Sequence, residues 1–291
     1  MGNSESGPIN SENKEYFNAK YNWIPSFPLK EYPIINDQTI DKYIKIDYNK
    51  DKNYIDLRNN CPPVINIDQL PLHPIATITS LLNYQLAINK LDVFPPSRLF
   101  IYKNCAFYKS IQSLLSYETI FKSIEKYGFC SENDFPSLKN NIDDPTHDCY
   151  RKAEPYKFIE IYRVDNSIDI LKHLLQNDFV LAIGFVLYYD INNVIDKLWL
   201  PDFSVDKRVG GLTGLLVGYI DNIECFILQL SYGKSFGKSG YIMIPYNYII
   251  DKELVPEIYY IDFKKTRIEG FLNQQREIVS LESTYSANNY F

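Results

Sequence analysis

Few side chains in this chain are suited to nucleophilic or metal chemistry. There are three histidines, His73, His147 and His173, and five cysteines. A cysteine thiolate beside an imidazole would support covalent catalysis, and cysteine and histidine at regular spacing would bind zinc. The cysteines form no C-x-x-C pair and lie at Cys61, Cys105, Cys130, Cys149 and Cys225.

His147 stands in the acidic stretch DDPTHDCY, residues 143–150. This stretch has no recognised metal-ligand spacing and reads as a solvated loop. His173 falls within SIDILKHLLQND, residues 167–178, where the pattern indicates a surface position on a helix. We therefore predict no metal site and no cofactor.

The cysteines also bear on the cellular compartment. Their number is odd and the N-terminus has no apolar leader, so we predict reduced thiols in an intracellular protein without a signal peptide. A bridge between Cys130 and Cys149 is nevertheless sterically conceivable.

Composition excludes several classes of partner. The net charge is −6 and no run of lysine or arginine is interleaved with aromatics, so nucleic acid is not an expected partner. No stretch has the ~18 consecutive apolar residues that a membrane span needs. The opening MGNSES fits an N-myristoylation pattern with Gly2 as acceptor, and one such chain would give only weak membrane association. The alternative is that residues 1–20 are simply a disordered start.

The elements that would position a site fall into two halves. Residues 21–55 read as an extended arm, and residues 56–155 read as mainly helical. Within them, residues 73–89 predict a buried helix with Pro74 in its first turn, and residues 110–128 predict a surface helix that ends at a glycine.

Residues 156–262 change character to short runs rich in Val, Ile, Tyr and Phe. Helical elements followed by antiparallel strands indicate an α+β fold with two lobes. Residues 263–291 read as a polar tail.

Five phrases occur in the same order and at similar spacing as in papain-like cysteine peptidases, and the chain resembles the bacterial and viral branch of that family over about residues 21–262. The phrases are DLRNNCPPV, PSRLFIY, IEKYGFC, GGLTGLLVGYID and LSYGKSFGKSGYIMIPY. The resemblance implies a helical N-terminal lobe, an antiparallel β-barrel-like C-terminal lobe and a cleft between them.

In that family, a cysteine at the start of the central helix is activated by a histidine and an asparagine of the β lobe, and a glutamine donates to the oxyanion. The family's V-x-D-Q-G-x-x-G-S-C is VINIDQLPLHP here, so Ile67 falls at the glutamine and His73 at the nucleophile. The family's GGHAV is GGLTG, which gives Leu212. Its NSWG is LSYG, which gives Leu230.

A shifted register does not restore the chemistry. No cysteine lies between Cys61 and Cys105, and no histidine follows His173. Loss of such a triad lowers kcat by on the order of 10⁶. The resemblance therefore implies a papain-like pseudopeptidase that performs no cysteine-type peptidolysis.

The remaining side chains allow two interpretations. His73 could be a lone acid, base or nucleophile, or a histidine that only caps or packs, and the helix dipole at its position disfavours the imidazolium. Tyr232 and Phe236 stand where the family has tryptophans and are expected to pack in the cleft wall.

Three functions remain open. The cleft could bind a peptide or protein partner, or the protein could be a structural component whose cleft is filled by its own arm or by large side chains. The third is a hydrolase, a peptidase or another, that uses a non-standard site around His73. The family branch also suggests a large DNA virus as the source and a virion component as the role, as does the abundance of Tyr, Ile, Asn and Lys, which is typical of an A+T-rich genome.

Overall fold

The structure is a computed structural model of the chain. It describes residues 23–26, 32–44, 48–67, 72–105, 115–137, 143–189, 191, 201–203 and 206–274. Gly2 and the rest of the predicted disordered start therefore lie outside the described residues. So does the end of the predicted tail.

The first half is mainly helical, as predicted. Its α-helices in the described residues are α1 (His73–Ile88), α2 (Arg98–Cys105), α3 (Tyr117–Tyr127) and α4 (His147–Ala153). α3 begins later than the pattern predicts because Ser116 caps it: its side chain accepts a hydrogen bond from the Thr119 N–H. The predicted stop is confirmed at Gly128, which adopts φ +69°.

The strands form one mixed sheet. They are β1 (Ile34–Ile35), β2 (Tyr54–Asp56), β3 (Ile159–Val164), β4 (Leu181–Leu187), β5 (Gly210–Ile220), β6 (Cys225–Gln229), β7 (Tyr241–Pro245) and β8 (Glu257–Phe263). Their order is β1-β3-β8-β4-β5-β6-β7, with β2 paired to β5. The pairing of β1 with β3 is parallel, and the other pairings are antiparallel.

The barrel-like lobe implied by the resemblance is not closed. Among the described residues the sheet ends at β1 on one side and at β7 on the other, and these two strands do not pair. Helices α5 (Ile168–Gln176) and α6 (Tyr246–Ile250) accompany the strands. The fold is therefore α+β, and its sheet is open.

The sequence analysis did not identify β8, which lies between β3 and β4 in the middle of the sheet. Its last residue, Phe263, falls in the segment predicted to be a polar tail. Residues 265–274 then form a seventh helix, α7, in which Ile268 is fully buried. The tail prediction gave weight to polar composition, whereas one apolar face suffices to dock a helix.

The predicted arm is also part of the body. β1 and β2 pair with the sheet, and residues 23–26 contact both halves of the molecule. Short strands of this kind have no periodicity of their own, because their pairing is dictated by the partner strand.

Helix α1 is the central helix of the fold. Its side chains are apolar on nearly all sides, so it is buried almost completely, and it packs against β4, β5 and β8. One hydrophobic core runs through α1, α3 and the sheet, and a smaller satellite core lies between α2 and α4. Among the described helices, none combines the length and the apolar character that crossing a bilayer requires.

Candidate functional site

The site that the resemblance predicts lies where α1 begins. Leu72 precedes the helix and Pro74 occupies its first turn, which fixes His73 as the first helical residue. The His73 side chain is only 4% exposed. Its Nδ1 lies 2.9 Å from Ser231 Oγ, and its ring centroid lies 4.6 Å from that of Tyr232. His73 is therefore packed and hydrogen-bonded within the protein.

Ile67 reaches the same place from the chain before α1. Its backbone N–H donates to the Ser231 carbonyl at 3.3 Å, and the neighbouring Asn66 forms an antiparallel bridge with Tyr232. The Ile67 side chain is buried and has no polar atom. It therefore cannot donate to an oxyanion.

The two leucines lie on the sheet side of this site. Leu212 is fully buried in β5 opposite Phe185 of β4, and Leu230 is 2% exposed just after β6. The Leu230 N–H donates to the Gly240 carbonyl at 3.0 Å, so its backbone is fixed. Both side chains belong to the main hydrophobic core.

Backbone and side-chain contacts bring the four predicted site positions, Ile67, His73, Leu212 and Leu230, into one region. Ser231 bonds both Ile67 and His73 and directly follows Leu230. One turn after His73, Thr77 Oγ1 lies 2.9 Å from Oγ1 of Thr213, the residue after Leu212. The sequence analysis missed Ser231, Thr77 and Thr213. Thr77 could have been identified as a polar residue one turn after His73 in a helix predicted to be buried.

A small cavity adjoins the site. Its lining includes the side chains of Thr77, Ser80, Gln229 and Ser231 beside Leu230. Its volume is ≈ 10 Å³, which is at the lower limit for one water molecule. The cavity is too small for a peptide side chain.

The predicted wall residues are found next to this region. Tyr232 and Phe236 are half-buried, with ring centroids 5.1 Å apart. Gly233, between them, adopts φ +78° and packs against Asn66, so a side chain there would be strained and crowded.

The main feature that the sequence analysis missed is the segment of residues 23–26. It lies between the helical half and the sheet. Trp23 forms a parallel bridge with Leu115, just before α3, and the Ile24 N–H donates to the Leu115 carbonyl at 3.1 Å. The segment therefore adds a short strand-like contact to the helical half.

On the sheet side, the Trp23 indole packs against Gly184 of β4 and Gly211 of β5. A Cβ at either glycine would overlap the indole. Trp23 is fully buried, and Tyr117 of α3 lies 6.4 Å away between ring centroids. Gly211 immediately precedes Leu212. The indole thus packs on β5 at the residue that precedes the predicted position of the catalytic histidine.

The same segment ends at a buried carboxylate. The Ser26 N–H donates to Glu257 Oε1 at 2.9 Å, and Ser26 Oγ accepts from the Glu118 N–H at 3.2 Å. Burial raises the pKa of Glu257. Trp23 Nε1 and Glu257 Oε2 are buried without hydrogen-bond partners among the described residues. Residues 23–26 are termed the cleft segment below.

The other candidate residues lie apart from this region. His147 was predicted to lie in a solvated loop, but it is the exposed first residue of α4, because Thr146 caps a helix there. The adjacent Asp148 pairs with Arg151. His173 is half-buried on α5, with its ring stacked on Tyr48 at 5.5 Å. In the part of the chain that the structure describes, no three His, Cys, Asp or Glu residues form a metal-binding group. Cys130 and Cys149 are free thiols in the satellite core.

Sequence comparison finds one kind of relative. No family model matches the chain. It is 28% identical over 186 residues to the uncharacterized peptidase C1-like protein L477 of Acanthamoeba polyphaga mimivirus. The match covers 58% of this chain and 60% of that protein, so it spans less than two thirds of the relative's length.

Structural comparison is more extensive. Xylellain, a cysteine protease from Xylella fastidiosa, superposes with a TM-score of 0.72 at 25% identity, covering 84% of this chain and 96% of xylellain. Digestive procathepsin L2 from Tenebrio molitor larval midgut gives a TM-score of 0.67 at 14% identity, over 88% of this chain and 81% of that chain. The chain therefore has the papain-like fold and is similar in sequence to a peptidase C1-like protein.

Proposed function

We propose that this protein is a papain-like pseudopeptidase that serves as a structural component, with its cleft occupied by its own cleft segment. The observation that carries the proposal is the burial and the aliphatic side chain of Leu212. The sequence resemblance aligns Leu212 with the family's catalytic histidine, and in the structure it is fully buried in the main core and has no group that can take a proton.

The neighbouring positions support the same conclusion. Ile67 and Leu230 offer only aliphatic side chains where the family uses amides. Both are buried, and Leu230 lies in the main core, so neither place offers a side-chain donor. Apolar side chains there also avoid the cost of burying unsatisfied polar groups.

The cleft segment argues for a structural role over a peptide-binding role. Trp23 fills a pocket whose floor is two glycines, and Ser26 bonds elements of both halves. A peptide would have to displace a fully buried indole. The cost is large, because removing a buried tryptophan side chain destabilises a protein by about 3–5 kcal/mol.

The mimivirus relative extends the proposal to the particle of a large DNA virus. The relative is viral, and its printed name assigns it no role. Quantitative mass spectrometry of gradient-purified particles from the source virus would test this. A constant copy number per particle would support a virion component, and enrichment only in the infected-cell lysate would oppose it.

A lipid at Gly2 would attach such a component weakly to a membrane surface. One myristoyl chain gives marginal, reversible binding. Intact-mass analysis of the native protein detects the added acyl mass directly.

The catalytic part of the proposal is tested with a proteome-derived peptide library. Wild-type protein should neither cleave nor retain peptides. A preparation of the His73→Ala/Ser231→Ala variant is the matched control. Cleavage in both preparations identifies a contaminating protease, and cleavage by the wild type alone would overturn the proposal.

Peptide binding is examined in the same experiment. Retention of peptides by Trp23→Ala but not by the wild type would support a cleft occupied by its own chain. Specific retention by the wild type would instead favour a peptide-binding regulator, since the cleft segment would then be displaceable.

One observation favours a second candidate, a serine hydrolase. His73 Nδ1 lies 2.9 Å from Ser231 Oγ, which is hydrogen-bond distance for a nucleophile and its base. Against it, Ser231 is 7% exposed and His73 is 4% exposed. Labelling of Ser231 by a fluorophosphonate, lost in His73→Ala, would establish this alternative.

A further inference from the structure

The satellite core contains two of the five cysteines. Cys130 follows the turn after α3, and Cys149 lies in the first turn of α4. They are 1% and 4% exposed, and both are free thiols. Both belong to the same small cluster of packed, buried side chains.

Contacts on both sides already hold these two chain segments together. The Ser97 N–H donates to the Cys130 carbonyl at 2.8 Å, and the Ser97 hydroxyl donates to the Phe135 carbonyl at 2.5 Å. Cys149 Sγ lies 3.6 Å from the Asp134 carbonyl, to which it donates. The Cys130 and Cys149 segments are thus fixed on the same short stretch, residues 131–135.

The turn before Cys130 also packs directly on α4. A Cβ at Gly128 would overlap the carbonyl of Ala153, the last residue of that helix. The backbones on which the two cysteines lie are therefore in contact close to both residues, and a disulfide requires such proximity of its two backbones.

We propose that Cys130 and Cys149 are a redox-active pair, which a low-molecular-weight disulfide such as oxidised glutathione converts to an intramolecular disulfide. One cysteine thiolate attacks a glutathione disulfide sulfur and expels a glutathione thiolate. The second cysteine thiolate attacks the resulting mixed disulfide and expels the other glutathione thiolate. Two protein thiols are oxidised, one glutathione disulfide is reduced to two thiols, and the two protons pass to glutathione.

The other cysteines lie outside the satellite core, so neither Cys130 nor Cys149 shares its cluster with a third thiol. Cys105 donates to the Thr119 carbonyl at 3.8 Å, and Cys225 donates to the Ile223 carbonyl at 3.1 Å. Cys61 and Cys105 lie with the main core, away from the satellite core. Oxidation at limiting disulfide should therefore be selective for one pair.

Burial sets the rate and character of this reaction. It raises the pKa of the Cys130 thiol, so the thiolate fraction is small and exchange is slow. The disulfide would close the chain from residue 130 to residue 149 and so restrict the unfolded state. We expect a stable disulfide whose formation follows the redox state of the compartment over hours.

The experiment equilibrates full-length protein in glutathione buffers of graded redox potential, starting both from reduced protein and from protein refolded under oxidising conditions. Free thiols are then blocked, and peptides are mapped without reduction. We expect a linked peptide pair containing Cys130 and Cys149, a mass loss of two hydrogen atoms and a rise in Tm on the order of 5 °C.

Variants distinguish this result from non-specific oxidation. Cys149→Ser should abolish the linked pair and the rise in Tm, whereas Cys105→Ser should preserve both. Absence of the Cys130–Cys149 link from both starting states, or links that involve Cys105 to an equal extent, would overturn the proposal.

Discussion

Trp23 lies so close to Gly211 that a Cβ at residue 211 would come within 2.5 Å of the indole Cε3 atom and 2.9 Å of the Trp23 carbonyl oxygen. The next residue along β5 is Leu212. The glycine that Trp23 covers and the residue predicted to align with the catalytic histidine are therefore adjacent on one strand.

Gly211→Ala should loosen Trp23. The added methyl group meets the indole and its backbone, and overpacking of this kind lowers the free energy of unfolding by about 1–3 kcal/mol. In a Trp199→Phe background Trp23 is the sole tryptophan, so its emission should shift to the red. Gly270→Ala is the control, since a Cβ there meets nothing within 4 Å. Unchanged emission and stability in Gly211→Ala would contradict the packing described.

Leu212→His should be strongly destabilising in the otherwise wild-type chain. It would place a polar ring in the core beside Phe185. An unsatisfied buried polar group costs about 1–3 kcal/mol, measured here as a lower denaturant midpoint. Leu212→Met conserves volume and should cost less than about 1.5 kcal/mol. Equal stability of the two variants would indicate that the His side chain finds partners in the site.

Glu257 should make the folded protein less stable as pH rises. Its pKa is raised by burial, so the folded state retains the proton at pH values where the unfolded state has lost it. This stability is fully present below the unfolded pKa and is lost as pH rises through the folded pKa. Glu257→Gln should remove that loss. Urea midpoints measured from pH 4 to pH 8 would show a flatter profile for the variant, and parallel profiles would argue against the assignment.

Asp56 should have the opposite effect and make the folded protein more stable as pH rises. Its hydrogen bonds from Arg58 lower its pKa to about 2. The stability it contributes is present above the unfolded pKa of about 3.9 and is lost as pH falls toward the folded value. Asp56→Asn should therefore be less stable than the wild type at neutral pH and converge with it in acid. A constant difference across the acid range would show that the charge has no part.

Side-chain periodicity was enough to predict α1, α3, α5 and most strands, but not the short helices α4 and α6 or the docked helix α7. His73 to Ile88 is apolar on nearly all sides, and only a buried central helix suits such a pattern. β1 and β2 could not be found in this way, because two- and three-residue strands exist only through their partners. β8 was missed although its residues are aromatic and β-branched. The polar sequence that follows it was given more weight in the prediction.

The candidate site could likewise be predicted from the sequence only in part. The short phrases GGLTG and LSYG were enough to predict which residues align with the family's motifs. In the structure, Ile67, His73, Leu212 and Leu230 lie around α1 and Ser231. The Trp23 contact could not be predicted. It depends on two glycines 161 and 188 residues away in a sheet whose register is set by tertiary pairing.

The bond between the Ser26 N–H and Glu257 joins residues 231 positions apart. During translation the cleft segment leaves the ribosome well before β8 does. At about 5–20 residues per second, the two are separated by roughly 10–50 s of synthesis. For that interval the tryptophan and its pocket are exposed to other chains and to chaperones, so the nascent protein presents a surface that the finished one has hidden.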